Sequence, residues 1–179
     1  MEILTEPYIK DLTWAFHDAL ETERNVKPHL YRHPLRTVVV NKRLKRALGR
    51  ANNRGTLEVG GCFVGLQNTK ENFEQLSDTI LHELAHLYVG IEEGHNSVWQ
   101  NAAKHMGASP ETYATVEGEL RDALRPPWLL VATLATGKTV QCKTAHKRTL
   151  KYLRNPNQYT IQGVQVHKFE WVKLSKKVA

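Results

Sequence analysis

Apolar residues recur at helical spacing in two long stretches of the chain. In the first, Ile9, Leu12, Phe16 and Leu20 stand three or four positions apart, Thr5 occupies an N-cap position and Pro7 falls early in the run. That pattern predicts a scaffold helix with one buried stripe. In the second, Phe73, Leu76, Ile80, Leu84 and Leu87 follow Asn68, which with Glu71 three residues on has the form of a capping box. At ~100° per residue these five side chains fall within an arc of about 80°, with His82 and His86 about 120–160° from its middle and Glu83 about 60° from it. The helix is expected to pack on one face and to show its histidines on the other.

Between these helices the period changes. Residues 36–40 have the β-branched density of a buried strand, and Asn41 is placed to cap a short helix over residues 42–48 that Gly49 would stop. Asn52, Asn53 and Gly55 supply turn chemistry ahead of residues 56–66, which read as one or two strands broken at Gly60 and Gly61. Beyond the second helix, Asn96 or Ser97 caps another that runs to Met106 and ends at Gly107, with Val98, Ala102 and Met106 on a shared face. Pro126 and Pro127 mark a boundary, after which residues 129–134, 138–142 and 159–166 read as short strands. The fold class is therefore α+β, with a core over residues 1–125 and a β-rich tail over 126–179.

Size and composition agree with that division. A chain of 179 residues holds one domain with a real core plus a small module, and a hydrophobic fraction of 41% with 24% charged residues excludes wholesale disorder. Charge is uneven: residues 126–179 carry ten Lys or Arg against the single acid Glu170, a balance of +9 within a total of +7, which leaves −2 for the rest. A basic module for a polyanion on a nearly neutral body is the expectation. The opening MEILTEPYIK lacks the basic-then-apolar order of a secretory signal, and no apolar run approaches the ~18 residues of a membrane span. Cys62 and Cys142, eighty positions apart, are too few for a disulfide framework. A cytoplasmic protein, or a nucleoid or nuclear one if DNA-associated, is expected rather than a secreted or membrane-bound one.

The chemistry lies in His82-Glu83-Leu84-Ala85-His86. Residues four apart on a helix project their imidazoles toward a single metal, and a glutamate one step from the first ligand can serve as general base toward the attacking water. A catalytic zinc takes three protein ligands and keeps a fourth position open. His95, nine residues beyond His86 and behind Gly90 and Gly94, is the favoured third donor, with Glu92, Glu93 and His105 as the other local candidates. An all-imidazole open site suits Zn2+, although cobalt, nickel or copper could occupy it in vitro. The pattern names no second donor for a developing oxyanion: Tyr88 and Tyr113 carry hydroxyls, and nothing selects either.

The run LSDTILHELAHLYVG from Leu76, followed by EEGHNSVWQNAAKHMGA and preceded by RALGRANNRGTLEVGG, resembles the SprT-like metallopeptidases, among them the Spartan proteases that degrade proteins crosslinked to DNA. The resemblance covers roughly residues 36–110 and is specific at the centre. It implies a zincin-like core with the active-site motif on a helix, His82, His86 and His95 as zinc ligands, Glu83 as the catalytic acid/base, and Trp99 as the aromatic after the Gly-His turn; packing is the ordinary role of such a residue. Many members carry a four-cysteine zinc ribbon after the core, whereas this chain has Cys142 alone there, with His146 at a loosely metal-like spacing.

The expected function is zinc-dependent endopeptidase cleavage of protein substrates, particularly DNA-associated or DNA-crosslinked ones. Lys143, Lys147, Arg148, Lys151 and Arg154 are placed to bind phosphates of single-stranded or structured DNA with little sequence preference, while Tyr152 and Tyr159 stack on bases. A second basic stretch comprises Lys42, Arg43, Lys45, Arg46, Arg50 and Arg54. The rival readings are a DNA-binding adaptor that keeps the motif for structure, and a metal hydrolase acting on something other than peptide. Intact Glu83 speaks against the first, since a structural zinc site has no use for a carboxylate beside the open position.

Overall fold

The computed structural model describes residues 2–45, 47–112 and 115–174, so that Arg46 and Tyr113 lie outside the described residues. Packing divides the chain into two compact units, Met1–Leu124 and Arg125–Ala179. Both mix helices with small sheets. Among the described residues no helix is long and apolar enough to cross a membrane.

In the first unit, helix α1 (Glu6–Arg24) starts at Thr5, whose hydroxyl accepts the Tyr8 N–H, and it buries Ile9, Thr13 and Leu20. Strands β1 (Thr37–Asn41), β2 (Gly49–Ala51) and β3 (Thr56–Gly60) form a sheet in the order β1-β3-β2, with β1 parallel and β2 antiparallel to β3. Val38, Val40, Leu57 and Val59 share its buried face, while Val39 on the opposite face is exposed. Helix α2 (Lys70–Val89) packs its Leu76, Ile80, Leu84 and Leu87 into the same core, and helix α3 (Ser97–Met106) adds Trp99, Ala102, Ala103 and Met106. A short helix α4 (Gly118–Leu124) closes the unit through Leu120 and ties back to the start of α2, where Glu119 Oε2 accepts from Asn72 Nδ2 at 2.8 Å.

Several expectations need correction. Among the described residues of 42–48 there is no helix: the Asn41 side chain accepts the Arg43 N–H in a tight turn, and Gly49 begins the edge strand β2 instead of stopping a helix. After Gly60 the chain leaves the sheet through successive turns, so Phe63 and Leu66 are buried without a second strand. The cap of α2 is Thr69, one residue later than expected. On α3 it is Trp99 that fills the core, and Val98 is exposed.

The second unit is an antiparallel sheet in the order β5-β4-β7-β6, built from β4 (Trp128–Leu134), β5 (Thr139–Ala145), β6 (Thr160–Ile161) and β7 (Val164–Lys173), with a one-turn helix α5 (Lys151–Arg154). Residues 159–166, expected as one strand, instead make a tight hairpin because Gln162 and Gly163 both take positive φ. Its own small core is Leu130, Ala132, Leu134, Val166 and Phe169.

Candidate metal centre

His82 and His86 stand one turn apart on α2, and His95 reaches them from the turn that follows. That turn depends on two glycines: Gly90 at φ 112° ends α2, and Gly94 at φ 56° and ψ −127° aims the chain back, both in the region that side chains disfavour. Asn96 then caps α3 by accepting the Val98 and Trp99 N–H groups, and Gln100 Nε2 donates to the His95 carbonyl at 3.2 Å, which fixes the backbone on either side of His95.

The geometry is convergent. His95 Nε2 lies 3.0 Å from His82 Nε2 and 3.2 Å from His86 Nε2, and the three donor atoms lie within 4.8 Å of one another. A single ring N–H serves one neighbour at a time, so three neutral imidazoles meeting in this way do not satisfy one another. A cation between them does: two nitrogens at 2.0–2.1 Å from a tetrahedral zinc stand about 3.3 Å apart, close to the observed separations. Burial, aided by neighbouring imidazoles, pushes His82 and His86 down to about 4, which leaves both neutral at pH 7 with lone pairs available.

Beneath the cluster lies Trp99, fully buried, with its ring centroid 4.5 Å from those of His82 and His95 and 5.1 Å from that of His86. The sequence suggested ordinary core for this residue; its core position is also the floor against which all three imidazoles rest. The histidine face of α2 is less open than expected, since His86 is buried and His82 half-buried.

Glu83 lines the same cleft, which holds about 750 Å3 between β2, α2 and a wall that includes Ser109, Glu111, Thr112, Thr115 and Val116. It is 7% exposed, and burial pushes its carboxyl up to about 8 against the Ala51 N–H and the charge of Arg50, both of which pull down. Sequence reasoning did not connect Gly49, Arg50 or Ala51 with this site, because a three-residue edge strand has no periodicity to read. Asp78, also in the cleft, accepts the Ser109 N–H at 2.6 Å and anchors the opposite wall.

The other candidates are engaged elsewhere. Glu92 pairs with Arg32 Nε at 3.2 Å and His33 Nε2 at 3.5 Å, Glu93 accepts from Asn96 Nδ2 at 2.6 Å, and His105 is exposed on α3. Tyr88 packs edge-on against Tyr31 at 5.1 Å and is not among the cleft residues. Cys62 and Cys142 are free thiols, and among the described residues no second group of metal ligands accompanies Cys142. In the second unit Lys143 Nζ donates to the Tyr152 hydroxyl at 2.7 Å and Arg148 stacks on the Trp128 ring at 4.5 Å. The expectation that Tyr152 and Tyr159 stack on bases meets a packing constraint: each ring is half-buried against the unit's core, 5.5 Å from Phe169 and from the other.

Fold and cluster together define a mixed α+β protein whose three histidines are arranged to hold a metal ion. The SprT-like family model matches residues 15–118, more than half of the chain, and the chain belongs to the SprT-like family. Comparison with curated proteins and with solved structures returned no match.

Proposed function

We propose that this protein is a zinc-dependent endopeptidase with a zincin-like core, acting on proteins associated with or crosslinked to DNA. The observation that carries the reading is the meeting of three Nε2 atoms at 3.0 and 3.2 Å in a cleft that also takes the Glu83 carboxyl. Membership of the SprT-like family supports a peptidase over other hydrolases.

His82, His86 and His95 would hold the ion through Nε2 and leave one position open. Zinc held there would supply Lewis acidity, lowering the pKa of a water toward ~7 and polarising the scissile carbonyl. Glu83 takes the proton of the attacking water and returns it to the leaving amine. The Ala51 N–H favours the carboxylate, and the charge of a bound ion would draw the carboxyl below the value of about 8 that burial gives, so that it is ionised and free to accept the proton. Trp99 fixes the ring planes of the ligands from below.

DNA association rests on charge. Among the described residues of the second unit the one ion-paired cation is Lys168, bound to Glu170, so Lys147, Lys151 and Arg154 face solvent without a carboxylate partner. Phosphate contact, rather than stacking on Tyr152 and Tyr159, is then the main source of affinity. Arg43, Lys45, Arg50 and Arg54 of the first unit are exposed as well.

The test compares wild type with Glu83→Gln on a free unfolded protein and on a DNA-bound protein, across a salt series. The amide is nearly isosteric but cannot accept the proton, so cleavage should fall by several orders of magnitude with zinc and DNA binding retained. Wild-type rates from the variant would refute the reading, and DNA binding without any cleavage by the wild type would favour an adaptor.

A further inference from the structure

Gly49 sits on the edge strand β2 with a backbone outside the left-handed region, so no turn requires a glycine there. Space does. A Cβ at this position would stand 2.7 Å from Glu83 Cγ, 2.9 Å from Glu83 Oε1 and 2.9 Å from Thr79 Cγ2. Two of these three atoms belong to the arm of the candidate base, and both residues are 7% exposed, which leaves neither free to swing into solvent. Other crowded glycines meet different neighbours: Gly60 and Gly61 face the backbone of Leu48 and Lys42, and Gly90 faces Glu92.

The same strand turns a backbone N–H toward the carboxyl. Along the β2–β3 ladder the Asn52 N–H bonds to Thr56 and the Gly60 N–H to Leu48. The alternation of an antiparallel pair therefore turns the intervening Ala51 N–H away from β3, and it is this N–H that acts on the Glu83 carboxyl and draws its pKa down. Gly49 and Ala51 lie on one face of the strand, two residues apart, so the absent side chain and the outward amide address the same carboxyl.

We propose that Gly49 is a positioning residue for Glu83: its bare Cα lets the carboxyl lie against β2, where the Ala51 N–H fixes it in the cleft lined by His82, His86 and His95. The consequence for turnover rests on the reading of Glu83 as general base, whereas the contact itself rests on geometry alone. A methyl group at residue 49 pushes the carboxyl off the strand while leaving the histidines, which reach the cluster from α2 and the turn after it, where they are.

Two readouts on the zinc-loaded full-length protein test this. In 15N-correlation spectra, Glu83→Gln and Gly49→Ala should each move the Ala51 amide proton upfield, because a hydrogen bond to a carboxylate is exchanged for a weaker one or lost. In cleavage assays Gly49→Ala should lower kcat about 10²-fold with KM and zinc content unchanged, the scale of a displacement near 1 Å at a reacting group. Adding Gly49→Ala to Glu83→Asp, whose shorter arm has already left the strand, should cost nothing further. If Gly49→Ala does not fold, Ala51→Pro deletes the donor without removing a ladder bond, and the same selective loss of kcat is expected. An unmoved Ala51 amide, a Gly49→Ala enzyme with wild-type kcat, or a loss of kcat that follows loss of zinc would each overturn the proposal. Should the wild type cleave nothing, the peptidase reading fails and the amide shifts alone decide the contact.

Discussion

Trp99→Ala removes the floor of the histidine cluster, and its cost follows from the packing. The indole is fully buried among Ala102, Ala103 and Met106 of its own helix and the three imidazoles above it. Truncating a buried Trp costs about 3–5 kcal/mol through lost burial and the cavity left behind. The Trp99 Nε1 is buried without a protein partner, so its removal returns about 1 kcal/mol, the low end of the desolvation cost that suits a neutral donor, and the net loss for the metal-free protein should be about 2–4 kcal/mol. Trp99→Phe keeps a ring under the histidines and discards the same unpaired donor, so it should cost about 1–2 kcal/mol at most. A second effect separates support of the site from ordinary packing. Zinc held at 100 times its Kd stabilises the wild type by about 2.7 kcal/mol, and each tenfold weakening at the same free zinc removes about 1.4 kcal/mol of that gain. Loosened imidazoles in Trp99→Ala should therefore show a reduced zinc increment, and Trp99→Phe should keep most of it. Native-state hydrogen exchange at the α2 amides reads the stability of the first unit by itself, with and without chelator. A metal-free loss below about 1 kcal/mol, or an undiminished zinc increment in Trp99→Ala, would refute the reasoning.

His95→Ala should fold and lose most of its zinc, as measured by metal analysis after gel filtration; full occupancy would remove His95 from the ligand set. The metal-free protein should have a stability optimum near pH 6.5 from this cluster. His82 and His86, held down at about 4, add stability as pH rises to their unfolded value of 6.5, while Glu83, held up at about 8, takes stability away from its unfolded value of 4.5 upward. Two protons against one make the net slope positive up to pH 6.5 and negative from there to about pH 8. Thermal melts in chelator across pH 5–8 check this, and a monotonic rise through pH 8 would contradict the burial of Glu83.

The features that sequence revealed are those with local causes. Helices α1, α2 and α3 announce themselves by apolar spacing and by Thr5 and Asn96, whose caps need nothing outside a few residues. The choice of Thr69 over Asn68 as cap is not local: the Asn68 N–H is taken by the Glu2 carbonyl, more than sixty positions away in sequence. Residues 42–48 misled for a similar reason. Asn41 is equally suited to capping a helix and to an Asx turn, and β3 decides in favour of the turn by taking β2 as its antiparallel neighbour. Tyr152 and Tyr159 read as exposed aromatics among lysines, but Phe169, unseen from that stretch, draws both rings inward.

The same contrast bears on how the site comes into being. His82, Glu83 and His86 share one helix, yet none is complete within it. The third imidazole arrives through the Gly90 and Gly94 turn, the carboxyl is received by an edge strand more than thirty residues upstream, and the ring floor comes from α3. An isolated α2 peptide would offer two imidazoles and a solvated glutamate, a weak site with an ordinary carboxyl. Assembly of sheet, turn and α3 around α2 both brings the nitrogens to 3.0 and 3.2 Å and buries the glutamate, so the metal binds the folded first unit far better than the unfolded chain. Its binding free energy is then folding free energy for that unit. Crowding three imidazoles and a carboxyl together without an ion costs stability, and a metal held by the three imidazoles would relieve that cost.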